Sequence, residues 1–177
     1  MHTHQSDFLI IGSGIAGLLF ALDAAEAGRV TLVTKKEAME SNTNQAQGGI
    51  AAVLGNNDSF DLHIQDTLAS GAGLSQPDVV RLVVEEGPRR IKELVARGVS
   101  FSRSKGTPAD SFDLGREGGH SRNRIVHTQD MTGREVERVL LTQARAHPNI
   151  TVLENHIAVD LITHSIRMKR GMVTTPH

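Results

Sequence analysis

Gly12-Ser13-Gly14-Ile15-Ala16-Gly17 spells G-x-G-x-x-G between an apolar run, Phe8 to Ile11, and a segment of good helix formers. A strand that feeds such a turn into a helix builds a phosphate cradle. Gly12 makes the tight turn, Gly14 lets backbone approach a pyrophosphate, and Gly17 lets helix and strand pack closely. The helix N-terminus that follows offers free N–H groups and a partial positive charge. The acidic residue that holds ribose hydroxyls is expected about 20 positions on. Here the sequence reads Thr34-Lys35-Lys36-Glu37, with Lys35 in the place of the acid. An ammonium can still donate to ribose or phosphate oxygens; a solvated loop lysine is the other reading. Either way, an ordinary nicotinamide dehydrogenase is disfavoured.

Those residues need a frame to position them. Phe8-Leu9-Ile10-Ile11 and Val30 to Val33 read as buried strands. Ala16 to Ala27 reads as the helix between them, with Leu18, Leu19 and Leu22 on one face and Gly28 at its C′ position. Strand, helix, strand is a βαβ unit with parallel strands and a right-handed crossover. The fold class is therefore α/β, a Rossmann-like domain built on a parallel sheet. Lys36 to Gly55 is polar and irregular, and Phe60 to Ser70 is expected to be helical. Pro77 to Arg97 carries Val80, Val83, Val84, Ile91, Leu94 and Val95 at helical spacing. Gly87-Pro88 should kink or split that helix, and Gly98 should end it. Thr132-Gly133-Arg134-Glu135 matches a capping box, with Thr132 as N-cap and Glu135 at N3. Ile150 to Leu153 and Ile157 to Ile162 are expected to form a last pair of strands. Residues 1–6 read as a disordered tail.

Composition closes off several functions. Lys plus Arg (19) and Asp plus Glu (20) nearly cancel. The basic excess of a non-specific nucleic-acid binder is missing. There is no cysteine, so disulfide scaffolds, thiolate zinc sites and thiol catalysis are excluded, and a reducing, cytoplasmic setting is expected. The histidines show no metal spacing, and His2-x-His4 reads as tail. With neither Trp nor Tyr, base-stacking platforms are disfavoured. Phe8 to Leu22 is uncharged, but no Lys or Arg precedes it and three glycines interrupt it, which argues against a signal peptide. It is too short to span a bilayer, and no membrane partner is expected.

Several segments in order resemble the L-aspartate oxidases, which group with the flavoprotein subunits of succinate dehydrogenase and fumarate reductase. They are Asp7 through Gly17; Ser41-Asn42-Thr43-Asn44-Gln45-Ala46-Gln47-Gly48-Gly49-Ile50-Ala51-Ala52; Arg116-Glu117-Gly118-Gly119-His120-Ser121; Asp130-Met131-Thr132-Gly133-Arg134-Glu135-Val136; and His147-Pro148-Asn149-Ile150. The resemblance runs from residue 7 to about 163 and lapses from Ser165. It implies that residues 7–164 are the N-terminal part of an FAD-binding domain and that 165–177 are a tail foreign to the family.

The resemblance implies oxidation of L-aspartate to iminoaspartate with a hydride passed to FAD. Oxygen or fumarate reoxidises the flavin, and the product enters de novo NAD biosynthesis together with a quinolinate synthase. It puts FAD on Gly12, Ser13, Gly14, Ile15, Ala16 and Gly17, on Lys35, and on Asn42, Thr43, Asn44, Gln45, Ala46, Gln47, Gly48 and Gly49. Ile157 and Ala158 fall at the adenosine end. Gly48-Gly49 would let backbone lie against the flavin ring, where N–H groups can stabilise charge that builds on it; a flexible glycine loop is the plain alternative. Succinate dehydrogenase relatives attach the flavin covalently through a His at the position of Asn42, so non-covalent FAD is expected here. In the aspartate oxidases the residue matching Glu117 pairs with the substrate ammonium, and His120 is expected to orient or contact substrate. An exposed loop Glu is the bland reading of Glu117.

A substrate with two carboxylates needs cationic clamps, and hydride transfer needs a proton acceptor. In the family those arginines and histidines come later than this sequence reaches. The chain therefore reads as an N-terminal portion, without aspartate oxidase activity by itself. The alternatives are a succinate dehydrogenase or fumarate reductase-like flavoprotein fragment, and a simple NAD-binding Rossmann domain. A third possibility is a non-catalytic product with open strand edges.

Overall fold

A computed structural model describes residues 3–104, 111–129 and 131–163. Met1 and His2 of the expected tail, Asp130 of the fourth family segment and the whole 165–177 tail lie outside them. The elements in chain order are β1 (Phe8–Ile11), α1 (Ile15–Ala24), β2 (Val30–Val33), α2 (Asn42–Gln45), β3 (Ile50–Ala51), α3 (Phe60–Ser70), α4 (Pro77–Ala96), β4 (Leu114–Gly115), β5 (Ile125–Val126), α5 (Thr132–Ala146) and β6 (Ile150–Leu153).

β1, β2 and β6 form a parallel sheet in that order, with Phe8 opposite Val30 and Val30 opposite Ile150. The expected βαβ unit is present. β2 lies in the middle because its run of apolar residues is sandwiched: Val30 and Leu32 are fully buried. α1 contributes Leu18 and Ala21 to that core, and α5 contributes Val136, Leu140 and Ala144. Each fully buried leucine adds roughly 1.5–3 kcal/mol, so this α1–β2–α5 layer is what holds the glycine turn steady. β1 departs from the expected buried strand. Only Ile10 is buried, while Leu9 and Ile11, on the opposite pleat face, are more than half exposed. β1 is an edge strand with one neighbour, and among the described residues nothing covers that face.

Gly28 is not the left-handed cap expected of it, since its φ is not positive. Its missing side chain serves Asp7, whose carboxylate would lie 2.8 Å from a Cβ there and accepts the Arg29 amide at 2.7 Å. α4 runs unbroken through Gly87-Pro88. Proline removes one main-chain donor, and the helix continues past it, with Val80 and Val84 packed on Ile64 of α3. No capping box opens α5. Met131 is the N-cap, and the Thr132 hydroxyl instead accepts from the Thr128 amide and donates to the Gly48 carbonyl. Glu135 is taken by Arg138.

Ile157 to Ile162 is not a strand, and its apolar side chains are exposed. After β6 the chain turns at Asn155 (φ 58°) and passes over the end of β2, where the Asn155 and His156 amides donate to the Lys36 and Thr34 carbonyls. An antiparallel sheet, β3-β5-β4, was not foreseen. Its strands are two residues long, too short to show a period in sequence.

Candidate functional site

All three parallel strands end at the same edge, where ligands bind in open α/β sheets. β1 delivers the glycine turn, β2 delivers Thr34-Lys35, and the chain beyond β6 delivers His156, Ile157 and Ala158. Together with Glu40, Ser41, Asn42 and Thr43 these residues line a cleft of about 440 Å³. Gly12 has φ +106°, a conformation that side chains resist, and its amide donates to the Val33 carbonyl. A Cβ on Gly14 would lie 3.2 Å from the Thr43 hydroxyl, so the bare backbone keeps the cleft open at that point. A Cβ on Gly17 would overlap the Gly12 carbonyl, which is the close helix–turn packing expected of it.

Two groups expected to face a ligand are committed elsewhere. The Ser13 side chain is buried; its hydroxyl donates to the Ala38 carbonyl at 2.9 Å and pairs with the Thr34 hydroxyl at 3.1 Å. The Ile15 amide donates to the Thr43 hydroxyl at 3.1 Å. Ala16 and Gly17 remain as first-turn amides that helix geometry leaves without an intrahelical acceptor. Lys35 is exposed at the cleft, whereas the neighbouring Lys36 is neutralised by Glu40 at 2.7 Å.

The 41–49 segment is held from below by α5. Ser41 caps α2 by accepting from the Asn44 amide. The Gly133 amide donates to the Ala46 carbonyl at 3.0 Å, and a Cβ on Gly133 would overlap the Thr43 carbonyl. Glu137 lies completely buried in the same layer, and its two carboxylate oxygens have no hydrogen-bond partner among the described residues. Burial pushes its carboxyl up from the ordinary value, against the smaller opposing pull of the nearby Ser41 hydroxyl and Asn44 amide.

Gly48 and Gly49 leave α2 toward the second sheet. A Cβ on Gly49 would overlap the Val126 carbonyl, and one on Gly48 would overlap the Glu117 carboxylate. Glu117 thus meets the end of the expected cofactor segment although the two are far apart in sequence. Glu117 is exposed and begins the 117–120 turn, whose Gly119 has φ +84°; His120 is half-buried at its end.

Behind that turn stands a group that sequence reasoning missed. Arg124 is fully buried. It forks onto Asp58 (Nε to Oδ2 2.8 Å, Nη2 to Oδ1 2.7 Å) and reaches Asp66 Oδ2 at 2.7 Å and His120 Nδ1 at 3.2 Å. Asp66 also accepts from the Ser121 amide and hydroxyl, both at 2.8 Å. Burial alone would raise the Asp66 carboxyl, but the Ser121 and Arg124 donors hold it down to about 2. His63 packs edge-on to His120 with ring centroids 5.5 Å apart. Its pKa is lowered first by burial and next by the Arg124 charge.

Gly12, Ser13, Gly14, Lys35, Asn42, Thr43, Ile157 and Ala158 therefore meet in one cleft, while Gly48, Glu117 and His120 gather at a second place linked to it by the 41–49 segment. Ile15, Ala16 and Gly17 start α1 at the cleft's base. Asn44, Gln45, Ala46, Gln47 and Gly49 lie along the linking segment and do not line the cleft. No helix among the described residues is long and apolar enough to cross a membrane.

The FAD binding domain family matches residues 7–177. The chain is 52% identical over 161 residues to L-aspartate oxidase 2-b, chloroplastic, of Nicotiana tabacum, covering 91% of this chain and 24% of that protein. It is 46% identical over 162 residues to L-aspartate oxidase of Vibrio cholerae, covering 90% of this chain and 30% of that protein. Among solved structures, E. coli quinol fumarate reductase FrdA superposes with a TM-score of 0.83 at 35% identity, over 90% of this chain and 27% of that one. The chain spans between 24% and 30% of the length of the curated relatives it matches.

Proposed function

This chain belongs to the FAD binding domain family, and we propose that it supplies the dinucleotide cleft and the substrate-facing turn of an L-aspartate oxidase. The observation that carries the reading is the meeting of Glu117 with Gly48 at the end of a segment whose other end lines the glycine-turn cleft. One continuous stretch of backbone then runs from the nucleotide end of the cofactor to the group that selects the substrate.

The cleft suits FAD on its own chemistry. Bare backbone at Gly14 and the open amides of Ala16 and Gly17 would hold the pyrophosphate. Lys35 would donate to ribose or phosphate oxygens, and Ile157 and Ala158 would contact the adenosine end. Asn42 offers no imidazole for attachment, which supports non-covalent binding. When bound, FAD supplies the acceptor for a hydride from C2 of L-aspartate, giving iminoaspartate. The Glu117 carboxylate pairs with the substrate ammonium and fixes where C2 lies. Succinate, which lacks that ammonium, gives Glu117 no partner.

Oxygen or fumarate then serves as electron acceptor, and iminoaspartate passes to a quinolinate synthase in NAD biosynthesis. A cysteine-free chain suits the cytoplasm. The test is the flavin spectrum of the FAD-loaded chain: L-aspartate is expected to perturb it and succinate not, and Glu117→Gln to abolish the difference. Equal responses to both diacids would sink the assignment.

A further inference from the structure

We propose that Arg124 is a positioning residue that fixes His120 as an imidazole protonated on Nε2 alone, so that the turn carrying Glu117 also carries a hydrogen-bond donor and not a proton acceptor. The meaning of this for substrate rests on the proposed reading of the turn; the geometry itself does not.

A guanidinium has five N–H donors, no acceptor, and keeps its proton. Arg124 Nη1 lies 3.2 Å from His120 Nδ1, so Nδ1 must offer its lone pair and carry no hydrogen. The proton of a neutral imidazole then resides on Nε2. Protonating Nδ1 would point two N–H groups, and two cations, at one another. Arg124 cannot withdraw to make room. It is fully buried, forked onto Asp58 through Nε and Nη2, and held by Asp66 through the same Nη1 that meets His120.

The charged and titratable groups facing the ring are Arg124, Asp58, Asp66 and His63. Both Asp58 oxygens are engaged by Arg124, and Asp66 Oδ2 is engaged by Arg124 and Ser121. Their negative charge stabilises the guanidinium. His63, edge-on to His120 and buried, is held below the ordinary histidine range, so it adds no second cation. The His120 amide also donates to the Glu117 carbonyl at 3.2 Å, closing the turn. Arg124 therefore sets at once where the turn sits, through Asp66 and Ser121, and which nitrogen of its imidazole bears the proton.

Long-range ¹H–¹⁵N spectra of the histidine rings in the ¹⁵N-labelled 177-residue chain with FAD at pH 7 decide the matter. The His120 signals are identified by their loss in His120→Gln. The expected pattern is a bare Nδ1 and a protonated Nε2. Protonation on Nδ1, or on both nitrogens, overturns the proposal, and this arm needs no change at Arg124. In Arg124→Gln, where an amide can donate or accept, the pattern is expected to become mixed; an unchanged pattern there also counts against Arg124. Adding L-aspartate to the same sample separates the two readings. His120 ring signals that ignore aspartate speak against the substrate turn and leave the tautomer assignment standing.

Discussion

The Thr43 hydroxyl accepts the Ile15 amide at 3.1 Å, which ties the first turn of α1 to the 41–49 segment. One of the helix amides expected to face phosphate is thereby used to join the two segments expected to hold the cofactor. The cleft is preorganised by this bond: the glycine turn and Asn42 are held in register before any ligand arrives.

Thr43→Val keeps the shape and removes the acceptor. Leaving a partly buried amide without its partner costs about 1–3 kcal/mol. If about 1 kcal/mol of that is felt in binding, FAD affinity falls roughly fivefold. A flavin fluorescence titration of the two proteins measures the ratio; equal affinities would show that the bridge does not organise the cleft.

Gly133 and Gly118 make opposite predictions. A Cβ on Gly133 would overlap the Thr43 carbonyl and lie 2.9 Å from the Ala46 side chain, with no flexible group to yield. Gly133→Ala is expected to cost about 1–3 kcal/mol as an overpacking change and to weaken FAD binding by moving α2. A Cβ on Gly118 meets nothing within 4 Å, so Gly118→Ala should leave the melting temperature within error. Paired thermal melts check both.

Glu137 should make the fold sensitive to alkali. Burial raises its carboxyl above the ordinary 4.5 in the folded state, so the folded protein binds that proton when the unfolded chain has lost it. Its contribution to stability is complete below about pH 4.5 and is lost as pH rises through the raised value. Glu137→Gln carries no charge at any pH. The melting temperature of the variant relative to the parent is therefore expected to climb as the pH rises above about 4.5. A difference that stays flat across that range would mean Glu137 is ionised without cost.

What the sequence disclosed followed chain distance. Gly12 to Gly17 were legible because a strand, a turn and a helix N-terminus are one local unit. Lys35 was legible as the end of the next strand. Thr43 and Glu117 were marked only through a family resemblance, since no periodicity brings residue 117 to residue 48. Arg124 left no local trace: its partners Asp58 and Asp66 lie 66 and 58 positions away. The capping box at Thr132 failed because a tertiary acceptor, the Gly48 carbonyl, took the hydroxyl. The strand over 157–162 failed because alternation is only half of a strand; the turn at Asn155 steers Ile157 and Ala158 to the cleft rim.

The most direct measurement is a titration of the 177-residue chain with FAD, followed by acid precipitation. The account predicts saturable quenching of flavin fluorescence at about one FAD per chain, weakened by Gly14→Val, with all the flavin released to the supernatant. Quenching that never saturates, or flavin that stays with the precipitated protein, would contradict it.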